Sequence, residues 1–122
     1  MAVITIGFSA TKTFTPDAYV SVTVGFWSAE TVHLNRPTQT GFITMVPYTN
    51  KATFLANPKN YYGPGRITFS FNASNWPFVV GTDPAAKFFL YVAGLSATVD
   101  DEGNEINGGI NWTTATVETI TV

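Results

Sequence analysis

Apolar and polar residues alternate along most of this chain, in the period-2 pattern that is typical of half-buried β-strands. The pattern is clear in segments 2–8, 19–26, 31–35 and 66–71. The side chains predicted to face the core from these segments are Ile4, Ile6, Phe8, Val20, Val22, Val24, Phe26, Val32, Leu34, Ile67, Phe69 and Phe71. These segments therefore predict strands with one face toward a core.

Two further segments, 41–46 and 87–93, are apolar on both faces, which predicts central or doubly covered strands. In the last segment, TATVETITV, the apolar phase changes between Val117 and Ile120, and this change predicts a bulge. Segment 47–65 is irregular, and we expect it to contain one short strand and a long loop.

Turn-forming residues separate these segments about every ten positions, as in Thr15-Pro16-Asp17, Gly63-Pro64-Gly65 and Asp101–Asn104. A helical period is absent, and only residues 83–86 predict a single turn, with Asp83 as the cap and Pro84 at the first position. The pattern predicts an all-β fold: a single antiparallel β-sandwich of jelly-roll or Ig-like type. We expect one domain over residues 1–122, with roughly seven to nine short strands and essentially no helix.

The amino-acid composition limits the classes of partner that this chain is expected to bind. Of the 122 residues, 45% are hydrophobic and only 11% are charged, less than half the usual ~25% of a soluble domain. The net charge is −2 and the six basic residues are scattered, so we expect no nucleic-acid partner. The chain has no cysteine, which excludes disulfides and thiolate sites. Neither a membrane span nor a signal peptide is visible.

Four carboxylates, Asp100, Asp101, Glu102 and Glu105, lie within six residues of each other and are half of all the acidic residues. Hard cations such as calcium bind several oxygen ligands, so this segment is a weak calcium candidate. The EF-hand spacing is not present, because Gly103 is at the fourth position and not the sixth. A solvated hairpin tip is the favoured interpretation, and we expect no cofactor.

Catalytic chemistry has little support. His33 is the only histidine, it lies at a polar position of an alternating segment, and no serine-nucleophile motif accompanies it. A glycosidase would need two carboxylates on opposite sides of a cleft, and nothing selects Asp17, Asp83 or Glu118 for such a pair. We expect a protein that is not an enzyme.

The aromatic residues are the strongest functional feature, with ten Phe, five Tyr and three Trp. Those in predicted loops or at strand ends are candidates for a binding site or interface, because Tyr and Trp suit partly hydrated contact surfaces. These candidates are Tyr61, Tyr62, Trp76, Trp27, Tyr48 and Trp112. The alternative is that these rings cap the ends of the core. For Tyr61 and Tyr62, which are adjacent in an extended segment, we expect opposite orientations, with at most one ring buried.

Two functions follow from these features. Low charge and doubly apolar strands predict a self-associating structural subunit, such as a virion coat, decoration or fibre protein, that forms a homo-oligomer or a larger assembly. The alternative is a lectin-like carbohydrate-binding module that binds a glycan through loop aromatics, with calcium as an assisting ion. A virion or an extracellular surface is the favoured location.

Overall fold

The fold is a single five-stranded antiparallel sheet with two short helices, in a computed structural model that describes residues 2–122. The strands are β1 (Val3–Asp17), β2 (Val20–Asn35), β3 (Thr40–Tyr48), β4 (Ile67–Phe71) and β5 (Thr116–Thr121). The helices are α1 (Lys51–Ala56) and α2 (Pro84–Ala93). The strand order is β4-β3-β2-β1-β5, so β4 and β5 form the two edges.

The predicted antiparallel sheet is confirmed and the fold is mostly β, but the strand count and the absence of helix were wrong. Five strands replace seven to nine, and 21% of the chain is helical. One reason is strand length: the predicted strands 19–26 and 31–35 belong to one continuous strand, β2. A second sheet, which a sandwich requires, does not form among residues 2–122.

One face of the sheet carries the major core, which we define as the buried cluster that joins the sheet to α2 and the segment after it. Met45 of β3, Phe88 of α2 and Trp112 all belong to it. Its buried members are Phe8, Val24, Trp27, Ile43, Met45, Phe69, Phe71, Phe78, Phe88, Phe89, Val92, Ile110 and Trp112. The prediction that Phe69 and Phe71 face the core is confirmed, with exposed fractions of 6% and 4%.

The opposite face carries the minor core, which consists of Phe26, Val46 and Tyr48 and is partly covered by Phe54 of α1. Met45 and Val46 are consecutive on β3 and enter different cores, as strand geometry requires. Segment 41–46 was predicted to be covered on both faces, and the burial of Met45 and Val46 in different cores agrees with that prediction.

Helix α2 replaces the strand that was predicted for residues 87–93. Asp83 is the N-cap, and its side chain accepts a hydrogen bond from Ala85 N, while Pro84 occupies the first turn. The predicted cap is therefore present, but the helix continues to Ala93. Segment 87–93 is almost wholly apolar, so its sequence shows neither a helical nor a strand period. Within the helix, Phe88 and Val92 are four residues apart and share one buried face.

Irregularities on β1 and β2 change which face several residues occupy. Pairing moves from Thr5–Thr119 to Gly7–Glu118, so the bulge lies at Ile6 of β1 and not in β5 as predicted. Consequently Ile6 packs against the minor core while Phe8 is in the major core. A Cβ at Gly7 would collide with the Trp27 carbonyl, so only glycine fits beside β2 at this point.

Segment 47–65 was predicted to contain a short strand and a loop, and it is instead the end of β3, α1 and a 3₁₀ turn at Gly63–Gly65. Asn50 begins α1 by accepting a hydrogen bond from Thr53 N. Neither helix of the described residues is long and apolar enough to cross a membrane.

Candidate functional site

Three of the six aromatic candidates lie inside the protein. The exposed fractions are 0% for Trp27, 1% for Trp112 and 3% for Tyr48. The polar atom of each ring is satisfied by a backbone carbonyl: Trp27 Nε1 donates to Ala10 O at 3.0 Å, and Trp112 Nε1 donates to Asn107 O at 2.8 Å. Tyr48 OH donates to Pro58 O at 2.6 Å. These rings are therefore core residues, as the capping alternative described, and offer no surface to a partner.

The other three candidates, Tyr61, Tyr62 and Trp76, are half-buried. Tyr61 packs against the minor core and Tyr62 against the major core, so the expectation that the two tyrosines point in opposite directions is confirmed. Neither is a freely exposed platform. Trp76 packs edge-on against Phe78, with ring centroids 5.0 Å apart. The structure does not bring the six aromatics together into one site.

A charged cluster lies beside Tyr61. Arg66 Nη2 donates to Glu30 Oε2 at 2.9 Å and to the Tyr61 hydroxyl at 2.7 Å. The hydrogen bonds from Arg66 and Tyr61 hold the pKa of Glu30 below its ordinary value. The same Glu30 hydrogen bond raises the pKa of Arg66. Burial raises the pKa of the nearby Tyr48 hydroxyl, which therefore stays neutral. This cluster fixes the loop after α1 to β2.

The acidic segment forms a hairpin tip. Asp100 Oδ1 accepts hydrogen bonds from the backbone nitrogens of Glu102 and Asn104, both at 2.9 Å. Glu105 instead reaches Lys12, with Oε1 2.8 Å from Nζ. Among residues 2–122, no group of three or more His, Asp or Glu side chains is arranged to hold a metal ion. Two of the four candidate calcium ligands, Asp100 and Glu105, therefore already bind groups of the protein itself.

The remaining candidates for catalysis lie in separate places. His33 is exposed on β2 and stacks on Phe42 at 5.4 Å. Asp83 caps α2, Asp17 accepts a hydrogen bond from Tyr19 N, and Glu118 accepts one from Ser9 Oγ at 2.6 Å. None of these four side chains lines either of the two concave surfaces described below.

A polar cleft of about 490 Å³ lies where β5 stops pairing with β1. We call it the Lys12 cleft. Its lining residues are Ser9, Ala10, Thr11, Lys12, Gly25, Gly109, Ile110, Asn111, Thr114 and Ala115. The sequence did not indicate this site, because it joins residues about a hundred positions apart. A lysine within a strand carries no local signal that it is mostly buried, yet only 18% of the Lys12 side chain is exposed.

A second concave surface, the α2–β5 groove, has a volume of about 250 Å³ and is mainly apolar. It is lined by Thr5, Ala86, Phe89, Leu90, Ala93 and Val117. None of these side chains is charged, and Leu90 is 69% exposed. The groove exists because 87–93 is a helix, so the strand prediction for this segment concealed it.

Comparison of the chain with protein-family models, with curated proteins and with solved structures found no match.

Proposed function

We propose that this protein is a non-catalytic structural subunit that self-associates through the α2–β5 groove. The observation that carries the proposal is an exposed, uncharged, concave apolar surface on a chain with very few charges. Leu90 and Val117 line the groove and are 69% and 47% exposed. Exposed apolar patches of this kind are typical of protein interfaces. Coat, decoration and fibre proteins of virions are the class of assembly that this interpretation favours.

A second copy of the same chain is the occupant that we propose. Identical grooves related by a two-fold axis would place Leu90 of one copy against the groove of the other, as in an isologous dimer. A specific interface buries about 800 Å² on each partner, so the contact must extend beyond the groove. Val3 is 70% exposed and shares a face of β1 with Thr5 of the groove. It supplies adjacent apolar surface.

Strand-to-strand extension at β5 is a less favoured mode of association. Lys51 Nζ donates to Thr119 O at 2.8 Å and lies 3.5 Å from Glu118 Oε1. A lysine placed at an edge strand obstructs the pairing of that edge with another chain. The face of the groove, and not the free edge of β5, is therefore the contact that we assign.

The lectin-like alternative, in which loop aromatics bind a glycan, has weaker support. Tyr61 and Tyr62, its proposed stacking residues, pack against opposite cores and are half-buried. Sugar stacking needs an open aromatic face. A saccharide site would therefore have to use other residues.

The experiment compares two leucines on opposite faces of the sheet. Leu90 of α2 is 69% exposed in the groove, and Leu55 of α1 is 52% exposed on the minor-core side. We expect Leu90→Glu to weaken self-association about tenfold or more, because it places a charge at the centre of the contact. Leu55→Glu should leave self-association unchanged. Light scattering after size exclusion, over a range of concentrations, measures the mass.

A wild-type oligomer that Leu90→Glu converts to the 13.2 kDa monomer, while Leu55→Glu does not, supports the proposal. A wild-type chain that is monomeric at every concentration contradicts self-association. An oligomer that both variants preserve contradicts the groove as the interface. Circular dichroism of each variant shows that the fold is retained.

A further inference from the structure

We propose that the Lys12 cleft binds a small neutral ligand rich in hydroxyl groups, of the mono- or disaccharide class. This site is separate from the α2–β5 groove, and none of the aromatic residues that the sequence indicated lines it. Five observations carry the proposal: the open edge of β1, a turn held in place beside the cleft, a balanced charge, unused hydrogen-bonding groups and the size of the cleft.

The first observation is the open edge of β1. Strand β5 pairs with β1 only as far as Ser9 and Thr116, whereas β1 continues to Asp17. Between Ser9 and Lys12 the pairing of β1 with β2 also shifts by one residue, which is a bulge. Backbone groups at a bulge are left out of the ladder. The cleft therefore opens on a stretch of backbone that the sheet itself does not fully pair.

The second observation is the turn Asn107–Gly109, of which Gly109 lines the cleft. All three residues of the turn have positive φ angles, of 53°, 71° and 69°. The carbonyl of Asn107 accepts a hydrogen bond from Trp112 Nε1, and that of Gly108 accepts one from Lys12 Nζ. Consecutive left-handed residues persist only where the surrounding structure holds them. Contacts with Trp112 and Lys12 thus hold this turn, and the Gly109 side of the cleft with it, in place, which is a property of preformed ligand sites.

The third observation is the balance of charge around the cleft. The Lys12 ammonium is paired with Glu105 at 2.8 Å. On the other side, Ser9 Oγ donates to Glu118, and the Glu118 carboxylate is itself 3.5 Å from Lys51 Nζ. Each charge therefore has an opposite charge beside it. A neutral ligand fits this environment better than an ion, which would have to compete with an existing pair.

The fourth observation is a set of hydrogen-bonding groups without a protein partner. Asn111 Oδ1 accepts hydrogen bonds from Thr113 N at 3.1 Å and from Thr113 Oγ1. This orientation leaves the two amide hydrogens of Asn111 as donors, and no hydrogen bond within residues 2–122 uses them. The Thr11 hydroxyl is unused in the same part of the chain. An ammonium has three donors, and Glu105 and Gly108 use two of those on Lys12.

The fifth observation is size. A volume of about 490 Å³ falls within the ~300–1,000 Å³ of small-molecule sites. Ala10, Ile110 and Ala115 add apolar surface among the polar groups. Sugars present hydroxyl groups together with C–H surfaces, so this mixture of lining groups matches their chemistry.

The experiment is a titration of ¹⁵N-labelled full-length protein, followed by two-dimensional NMR. The probes are glucose, galactose, mannose, N-acetylglucosamine, lactose and maltose, with inorganic phosphate and citrate as anionic comparisons. Concentrations up to about 100 mM detect dissociation constants in the millimolar range. We expect at least one sugar to shift amide signals in segments 9–12 and 109–115, and we expect neither anion to do so.

Two variants test the assigned groups. Thr11→Val removes the free hydroxyl, and Asn111→Ser removes the amide donors but keeps an oxygen that can cap Thr113 N. Each should weaken sugar binding by roughly 3- to 10-fold, the value of one hydrogen bond. Thr121→Val is the matched control, because Thr121 is exposed on β5, makes no side-chain hydrogen bond within residues 2–122 and does not line the cleft. It should bind like the wild type.

Four results would overturn the proposal: no shift with any sugar, shifts located outside the cleft, binding of the anions alone, or wild-type affinity in both variants. None of these depends on oligomerisation, so this test and that of the groove fail independently.

Discussion

The two faces of the sheet are stabilised in different ways. The major core has thirteen buried residues, and α2 and the segment with Trp112 contribute to it. The minor core has three, with α1 and Tyr61 at its margin. Beside the minor core, exposed ion pairs such as Arg66–Glu30 provide part of the connection. One face is therefore a packed core, while the other is a thin aromatic cluster joined by surface charges.

This difference indicates how much each face contributes to the stability of the fold. Burial of apolar area is the dominant favourable term in folding, whereas exposed ion pairs contribute about 0–1 kcal/mol. The two candidate surfaces also border the major-core side, since Phe89 lines the groove and Lys12 lies 5.1 Å from the ring of Phe14. We therefore expect the major-core side to determine both stability and function.

The largest expected effect is a loss of unfolding free energy, which we compare between one phenylalanine on each face. Phe88 is fully buried in the major core, and Phe54 is half-buried beside the minor core. Phe88→Ala should lower the free energy of unfolding by about 3–5 kcal/mol, and Phe54→Ala by about 1–2 kcal/mol. Equilibrium urea unfolding measures both. Equal losses would contradict the difference between the faces. If Phe88→Ala leaves too little folded protein, Phe88→Leu gives a smaller loss in the same direction.

The next largest effect is the destabilisation that an alanine causes at a glycine in a packed turn, compared with a glycine in an open turn. Gly108 and Gly103 have φ angles of +71° and +81°. A Cβ at Gly108 would collide with the Ile67 side chain, whereas a Cβ at Gly103 meets nothing within 4 Å. Gly103→Ala should cost about 1–2 kcal/mol for the left-handed backbone alone. Gly108→Ala must in addition displace the end of the half-buried Ile67 side chain, so it should cost about 1 kcal/mol more than Gly103→Ala.

Thermal unfolding of both glycine variants provides the measurement. A smaller loss for Gly108→Ala than for Gly103→Ala would show that the turn Asn107–Gly109, which brings Gly109 to the Lys12 cleft, is not tightly packed. That result would also remove the rigidity on which the proposed site depends.

A feature of the fold was predictable from the sequence to the extent that neighbouring residues alone determine it. The strand Ile67–Phe71 was predicted, because its alternation is undisturbed. Helix α2 was missed despite its recognised cap, because segment 87–93 lacks the polar positions that reveal a period. The bulge at Ile6 was assigned to β5, because a change of phase in one strand does not show which partner carries the extra residue.

The candidate sites were less predictable than the fold. Trp27 was predicted at a strand end and Trp112 in a loop or at a strand end, yet Trp27 lies within β2 and the two rings pack edge to face, 5.7 Å apart, inside the major core. The Lys12–Glu105 pair joins positions 93 residues apart. No periodicity or spacing encodes such a contact, which arises only when the chain folds.

The smallest expected effect concerns the ion pair beside the minor core. The hydrogen bonds from Arg66 and Tyr61 lower the pKa of Glu30 below 4.5. A lowered folded-state pKa stabilises the protein above the unfolded value, and this stabilisation is lost as the pH falls through the folded-state value. Glu30→Gln should therefore lower the melting temperature slightly at neutral pH, and the difference from wild type should shrink and vanish in acid.

Melting curves at pH values on both sides of 4.5 measure this difference for Glu30. Glu102→Gln is the matched control, because it removes the same charge from the exposed tip of the acidic hairpin. A difference for Glu30→Gln that persists unchanged in acid would mean that the Glu30 side chain stabilises the fold by packing and not by charge. The minor-core side would then resemble the major-core side, and the contrast between the two faces would be one of size alone.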